Sequence, residues 1–235
     1  MWILPETERL PSPHVSRRVD TIPVDTLILH YAVDGDQTPD DDLSRPRAST
    51  SFLKRKASDD CMDVARGFAR PARNASAHFV IGRDGSKVQC APLDKTAWHA
   101  GDGTFLTQSR VPRLVNRRSI GIEICNAGWA AVKMGISSYW RAMLKHPHNH
   151  KVQTWERYRP VQYETLDYLV ALLVMAVPTL DKVVGHEDVT NRHTLGKRGG
   201  KLDPGPAFDY SVIDWEGYGI TPYRFSFVHK TWEKR

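Results

Sequence analysis

Cysteine is scarce in this chain, with Cys61, Cys90 and Cys125 the whole complement and no Cys-x-x-Cys pair. An odd count at those spacings excludes a disulfide framework and suits synthesis in a reducing compartment. Cys125 lies in an apolar run and reads as a buried thiol. No stretch approaches the ~18 apolar residues of a membrane-spanning helix. The start, Met1-Trp2-Ile3-Leu4-Pro5-Glu6, has no basic segment followed by an apolar one, so no secretory signal is read there. The expectation is a product that is cytoplasmic when synthesised, reaching a substrate beyond the membrane only if another factor releases it. Internal repeats and long linkers are also missing, which gives one domain over residues 1–235, its core at about 25–215 between an irregular lead-in and an irregular tail.

Hydrophobic residues make up 40% of the chain, enough for a core and too many for a disordered protein. The formal charge is +6 and the pI about 9.3, a balance that attracts polyanions. No nucleic-acid recognition motif accompanies that charge, so nucleic acid is not expected as a partner. No obligate protein partner is inferred either. Arg17-Arg18, Arg117-Arg118 and Lys197-Arg198 read as solvated charge.

Thr26-Leu27-Ile28-Leu29-His30-Tyr31 predicts a buried strand, and Ser119 to Ile124 a second. His78-Phe79-Val80-Ile81 and Lys87-Val88-Gln89-Cys90 flank Asp84-Gly85, the signature of a tight hairpin. Apolar residues from Val161 to Val177 recur at helix spacing until Pro178, and a helix is also expected within 51–69. Asp181 to Gly185 predicts a strand leading to His186. Residues 34–50 read as loop, 127–160 as an excursion with one short helix, and a short helix is expected after Pro206. Strands alternating with helices give an α/β class, a mixed sheet flanked by helices.

Six ordered segments carry the chemistry: Leu27-Ile28-Leu29-His30-Tyr31; Ala75-Ser76-Ala77-His78-Phe79 with Arg83-Asp84-Gly85; Ala97-Trp98-His99-Ala100-Gly101; Asn116 to Glu123; Gly185-His186-Glu187-Asp188-Val189; and Lys201-Leu202-Asp203-Pro204-Gly205-Pro206. Together they resemble the amidase_2 family of N-acetylmuramoyl-L-alanine amidases, in particular its AmpD-type members. Their fold is shared with peptidoglycan recognition proteins and T7-type phage lysozymes. The resemblance implies a zinc groove along one side of the sheet, with Zn2+ held by His30, His186 and Asp203. A chain with ten histidines offers many such triples, so it is the surrounding motifs that select this one. Two imidazoles and a carboxylate leave the open position that a catalytic zinc keeps for water. The resemblance further implies Glu123 as general base and Lys201 as the cation facing the developing oxyanion. His78, Trp98, His99 and Asn116 are its expected substrate-side residues, His78 being equally readable as a core histidine. Some relatives carry a tyrosine where this chain has Ala77, so the catalytic proton carrier expected here is Glu123.

Two departures stand out. Seventeen positions separate His186 from Asp203, longer than in AmpD-type relatives, and 191–200 reads as an inserted loop. The segment 127–160 also exceeds the compact pattern. Within it, His146-Pro147-His148-Asn149-His150 reads as an exposed loop with incidental metal affinity. The function implied is hydrolysis of the amide between N-acetylmuramic acid and L-alanine, with peptidoglycan or a muropeptide as partner. Charge and the extra loops favour a phage-type or effector lytic enzyme. The alternatives are a cytoplasmic enzyme recycling anhydro-muropeptides and a non-catalytic peptidoglycan-binding module, the latter opposed by the complete ligand set.

Overall fold

The computed structural model describes residues 1–32, 57–101, 114–189, 201–226 and 231–235. The expected loop at 34–50 and insertion at 191–200 lie outside them. In chain order the strands and helices are β1 (Val15–Arg17), β2 (Thr26–Ala32), α1 (Ala57–Ala69), β3 (Phe79–Ile81), β4 (Lys87–Gln89), β5 (Lys95–Ala97), α2 (Leu114–Arg118), β6 (Ser119–Cys125), β7 (Arg141–Lys145), β8 (Val152–Glu156), α3 (Pro160–Ala176), β9 (Lys182–Gly185), α4 (His186–Val189), β10 (Thr221–Ser226) and β11 (Thr231–Lys234). Among the described residues, seven strands form one sheet in the order β11-β10-β9-β2-β6-β3-β4, and β1-β5 and β7-β8 form separate pairs.

The centre of the sheet is parallel: β2 lies between β6 and β9, and β3 runs parallel to β6. Central parallel strands are covered on both faces, which is why Leu27, Ile28 and Leu29 form a continuous apolar run and are all fully buried. Side chains alternate across the sheet. Leu27, Leu29, Ile120 and Ile122 meet Leu166, Leu169, Val170 and Leu173 of α3 on one face. Pro160 opens α3 at the position where a missing N–H costs nothing. Val80, Cys90 and Cys125 meet Cys61, Val64 and Phe68 of α1 on the other face. On that same face α1 stays over β3, β4 and β6, while Ile28 of β2 and Val184 of β9 pack with Ala100, Val115 and Val189. The three cysteines are buried thiols.

Four expectations require correction. The 127–160 segment is not a loop with a helix but short 3-10 turns followed by the antiparallel hairpin β7-β8. Its alternation is masked because Ala142, Leu144 and Trp155 are spread among charged residues. The lead-in is built into the fold: β1 pairs with β5, and the backbone N–H groups of Ile3 and Leu4 donate to the Gln89 side chain. The tail 218–235 supplies β10 and β11, which extend the main sheet, as its Tyr, Phe and Trp content favours. After Pro206 the chain forms a 3-10 turn at Tyr210–Val212 rather than a regular helix.

Arg83 joins these layers. It follows β3, is 4% exposed and makes a bidentate pair with Glu156 of β8 at 2.7 and 2.8 Å. Its third arm donates to Asp60 of α1 at 2.7 Å. Glu156 also accepts the Ala127 N–H, so one buried carboxylate secures the hairpin and the turn before it. A buried ion pair is expensive to break because the surviving charge keeps its desolvation cost. Arg83→Met should therefore destabilise the fold by about 3–5 kcal/mol, measured by urea denaturation. Adding Asp60→Asn and Glu156→Gln should return part of that loss.

Candidate active site

The parallel register sets the geometry. His30 on β2 is paired with Glu123 on β6, and Leu29 is paired with Gly185 on β9. His186 is thus one step beyond Gly185, level with His30. Glu123 and His30 are neighbours on adjacent strands, about 4.8 Å apart from strand to strand, and His186 opens α4 directly after β9, beside His30. The loop carrying Asp203 is drawn to the same place because its carbonyl accepts the Glu187 N–H at 2.8 Å.

His30 Nδ1 is 2.9 Å from His186 Nδ1 and 3.1 Å from Asp203 Oδ2. His186 Nδ1 is 3.0 Å from the same oxygen. The three residues are 1%, 5% and 8% exposed. These atoms outline a triangle with sides near those of a tetrahedral metal face: bonds of about 2.05 Å place ligand atoms roughly 3.3 Å apart. Two imidazoles and one carboxylate are a donor set suited to zinc. The expected insertion therefore does not keep Asp203 from the histidines.

The electrostatics match that use. Burial, then the neighbouring His186, presses the His30 imidazole down to about 4 against the pull of Asp203, so it is neutral with a lone pair to give. Burial opposes ionisation of Asp203, yet the two histidines hold its carboxyl well below the ordinary range. Glu123 is half-buried; desolvation and the Asp203 charge push its carboxyl up to about 8, while Arg73 and Lys201 pull the other way. A carboxyl raised in this manner is suited to taking and giving a proton near neutrality. A cation on the His30–His186–Asp203 triangle would bring it lower. Lys201 is exposed, and its charge acts on both His30 and Glu123.

The four expected substrate-side residues divide. Trp98 is half-buried at the edge, its Nε1 donating to Ser16 Oγ at 3.4 Å. His78, in contrast, is 0% exposed and does not line a groove. Its Nδ1 accepts the Gly121 N–H at 3.1 Å, its Nε2 is 3.1 Å from the Lys95 carbonyl, and the Arg18 guanidinium is packed on it at 3.0 Å. Arg18 is not solvated charge either: it also donates to the carbonyls of Leu93, Arg117 and Ser119. His99 is buried, with its Nδ1 3.0 Å from His30 Nε2, so it faces a proposed ligand rather than a substrate. Asn116 is buried, and its Oδ1 accepts from the backbone of His99 and Ala100 at 3.3 and 2.8 Å, which holds that turn in place.

The His-rich tract is the largest correction. His146 is completely buried, stacked on Trp155 and bonded to Glu187 at 3.0 Å, and His148 is bonded to Asp188 at 3.1 Å. The antiparallel hairpin folds the tract under α4. Arg235 of the tail completes the cluster, with its guanidinium 2.7 Å from Asp188, 3.3 Å from Glu187 and 4.0 Å over the Tyr210 ring. His148, Glu187 and Asp188 could also gather around a metal, but Arg235 already balances their charge. Burial works against the Asp188 carboxylate, while His148 and Arg235 hold its pKa below the ordinary value. Asp188 in turn accepts the Gly185 N–H, and Glu187 the Gly205 N–H. The cluster thus braces both segments that carry His186 and Asp203. Only the residue types hinted at it, because its members come from three distant segments.

Comparison with known proteins agrees with this geometry. The family model described as N-acetylmuramoyl-L-alanine amidase, Amidase_2, matches residues 20–206. The chain is 29% identical over 211 residues to the 1,6-anhydro-N-acetylmuramyl-L-alanine amidase AmpD of Salmonella typhimurium strain LT2, covering 89% of this chain and 88% of that protein. It is 28% identical over 214 residues to AmpD of Escherichia coli strain K12, covering 89% and 91%. A crystal structure of an AmpD derivative superposes with a TM-score of 0.52 at 25% identity, covering 93% of this chain and 97% of the other. With the motifs in order, the fold shared and the model matched across most of its length, the chain belongs to the Amidase_2 family of N-acetylmuramoyl-L-alanine amidases.

Proposed function

We propose that this protein is a zinc-dependent amidase that cuts the bond between N-acetylmuramic acid and L-alanine in soluble 1,6-anhydro-muropeptides, a recycling rather than a lytic role. The observation that carries the metal is the triangle of His30 Nδ1, His186 Nδ1 and Asp203 Oδ2, with sides of 2.9, 3.0 and 3.1 Å. The recycling substrate draws support from the AmpD relatives, matched along about nine-tenths of both chains. The lytic reading rested on charge and on the extra segments 127–160 and 191–200, of which the first lies among the described residues. Much of that first segment is instead a hairpin bracing the site. A soluble substrate of this kind asks for no export: the enzyme acts in the compartment where it is made. Among the described residues no helix is long and apolar enough to cross a membrane.

The chemistry zinc supplies when bound is Lewis acidity toward the scissile carbonyl and a water whose pKa falls to about 7. The chain's own residues do the rest. Glu123, beside His30 on the sheet, takes the proton of the attacking water and passes it to the leaving L-alanine amine as the C–N bond breaks. Lys201 faces the oxygen on which negative charge develops. Trp98, at the edge of the site, offers an aromatic surface to the sugar or peptide.

Asp203→Ala should lose zinc stoichiometry and turnover together, read by metal analysis and amide hydrolysis on one preparation. Glu123→Gln should keep its zinc and lose about 10²–10⁴-fold in kcat; wild-type turnover in that variant would remove Glu123 from the proton path. Purified protein, with and without a chelator, should be incubated with soluble anhydro-muropeptide and separately with intact sacculi, and the products identified by mass spectrometry. Chelator-sensitive release of peptide with a free L-alanine amine from the soluble substrate is expected. Preferential attack on sacculi would restore the lytic reading.

A further inference from the structure

His99 sits behind the proposed metal ligands and is not part of the reaction as described. Its two ring nitrogens are both engaged: Nδ1 is 3.0 Å from His30 Nε2, and Nε2 is 3.1 Å from Ser119 Oγ. Ser119 Oγ is also 2.6 Å from the Val115 carbonyl. We propose that Ser119 and His99 form a one-way hydrogen-bond chain that fixes His30 as the Nε2–H tautomer, leaving its Nδ1 lone pair for the metal, and that His99 is a positioning residue rather than a substrate contact. This inference rests on the metal reading above.

The direction of the chain follows from its far end. The Val115 carbonyl can only accept, and two oxygens 2.6 Å apart require a proton between them. The single Ser119 hydroxyl proton is therefore committed to Val115. Ser119 Oγ can then only accept from His99, so the His99 proton is on Nε2 and its Nδ1 carries a lone pair. A neutral imidazole has one N–H. His30 must then donate from Nε2, and its Nδ1 points, unprotonated, at His186 and Asp203. Reversing the chain would leave the 2.6 Å oxygen contact without a proton and put a hydrogen on His30 Nδ1, where it would exclude a cation. Ligating histidines commonly have their second nitrogen held by such a partner, which fixes the ring and its tautomer.

The surrounding chain is shaped to hold His99 in this place. A Cβ at Gly121 would be 2.4 Å from the His99 ring carbon Cγ and 2.6 Å from its Nδ1, so only glycine lets the ring lie on β6. Asn116 fixes the His99 backbone from the other side. Three residues within one short stretch, Asn116, Ser119 and Gly121, thus serve a histidine some twenty positions earlier. Such built positioning suggests more than an ordinary packed imidazole.

The test begins with metal-free wild-type protein labelled with 15N at histidine. Long-range proton–nitrogen correlation spectra report which ring nitrogen bears the proton. Both His30 and His99 are expected as Nε2–H tautomers; a His30 proton on Nδ1 overturns the proposal without any variant. Ser119→Ala removes only the far acceptor and touches no ligand. It should free His99 to change tautomer, mix the His30 signals and raise the zinc Kd by about 10–100-fold, measured by chelator competition. His99→Ala should raise it similarly. Unchanged tautomers and unchanged zinc affinity in Ser119→Ala would refute the chain. If the wild type shows the expected tautomers but binds no zinc, the metal reading fails while the hydrogen-bond chain stands.

Discussion

Parallel pairing of β6, β2 and β9 is the constraint from which this site follows. Once Leu29 lies opposite Gly185 and Ile122, residues His30, His186 and Glu123 must emerge side by side on one face. A slip by one residue on any strand would turn its functional side chain to the opposite face, against α3. The apolar residues between them prevent that slip. Leu27, Leu29, Ile120 and Ile122 must meet α3, since each would forfeit about 1.5–3 kcal/mol if left in water. The core and the site are thus two faces of one register.

Burial around the site makes polar contacts decisive. A polar group taken out of water is costly unless a partner meets it, and the protein answers with networks rather than single bonds. Arg83 satisfies Glu156 and Asp60 at one end of the sheet. Arg235, His146 and His148 satisfy Glu187 and Asp188 at the other. Each network ties the β7-β8 hairpin to the body of the fold. The second also fixes the backbone on both sides of the His30–His186–Asp203 triangle through Gly185 and Gly205. The same low-polarity surroundings keep His30 neutral and raise the Glu123 carboxyl. Stability and reactivity here draw on the same desolvation.

Much of the scaffold was readable from residue patterns because the signals were local. The run at Thr26–Ala32, the hairpin around Asp84-Gly85 and the apolar spacing of Pro160–Ala176 each fold as read, within a residue or two. The failures share one cause. Residues 127–160 and the tail have weak local patterns and gain their strands from pairing with other elements. His146 and His148 looked like exposed polar residues because their acidic partners are about forty positions away. His99 looked like a groove residue, and His78 could be read either way, because motif order shows proximity to a site without showing which way a ring points.

The sequence by itself determined the family, the parallel core strands and the identity of the residues brought together. Those depend on residue types and on order along the chain, which carry both hydrophobic periodicity and motif spacing. Only the tertiary structure decided which side chains face the His30–His186–Asp203 triangle and which stand behind it. Seventeen positions separate His186 from Asp203, yet His186 Nδ1 and Asp203 Oδ2 are 3.0 Å apart; His99 reaches His30 from 69 positions away. Such contacts are made by closing the sheet and its loops in space, and no local pattern encodes the direction in which a ring then points.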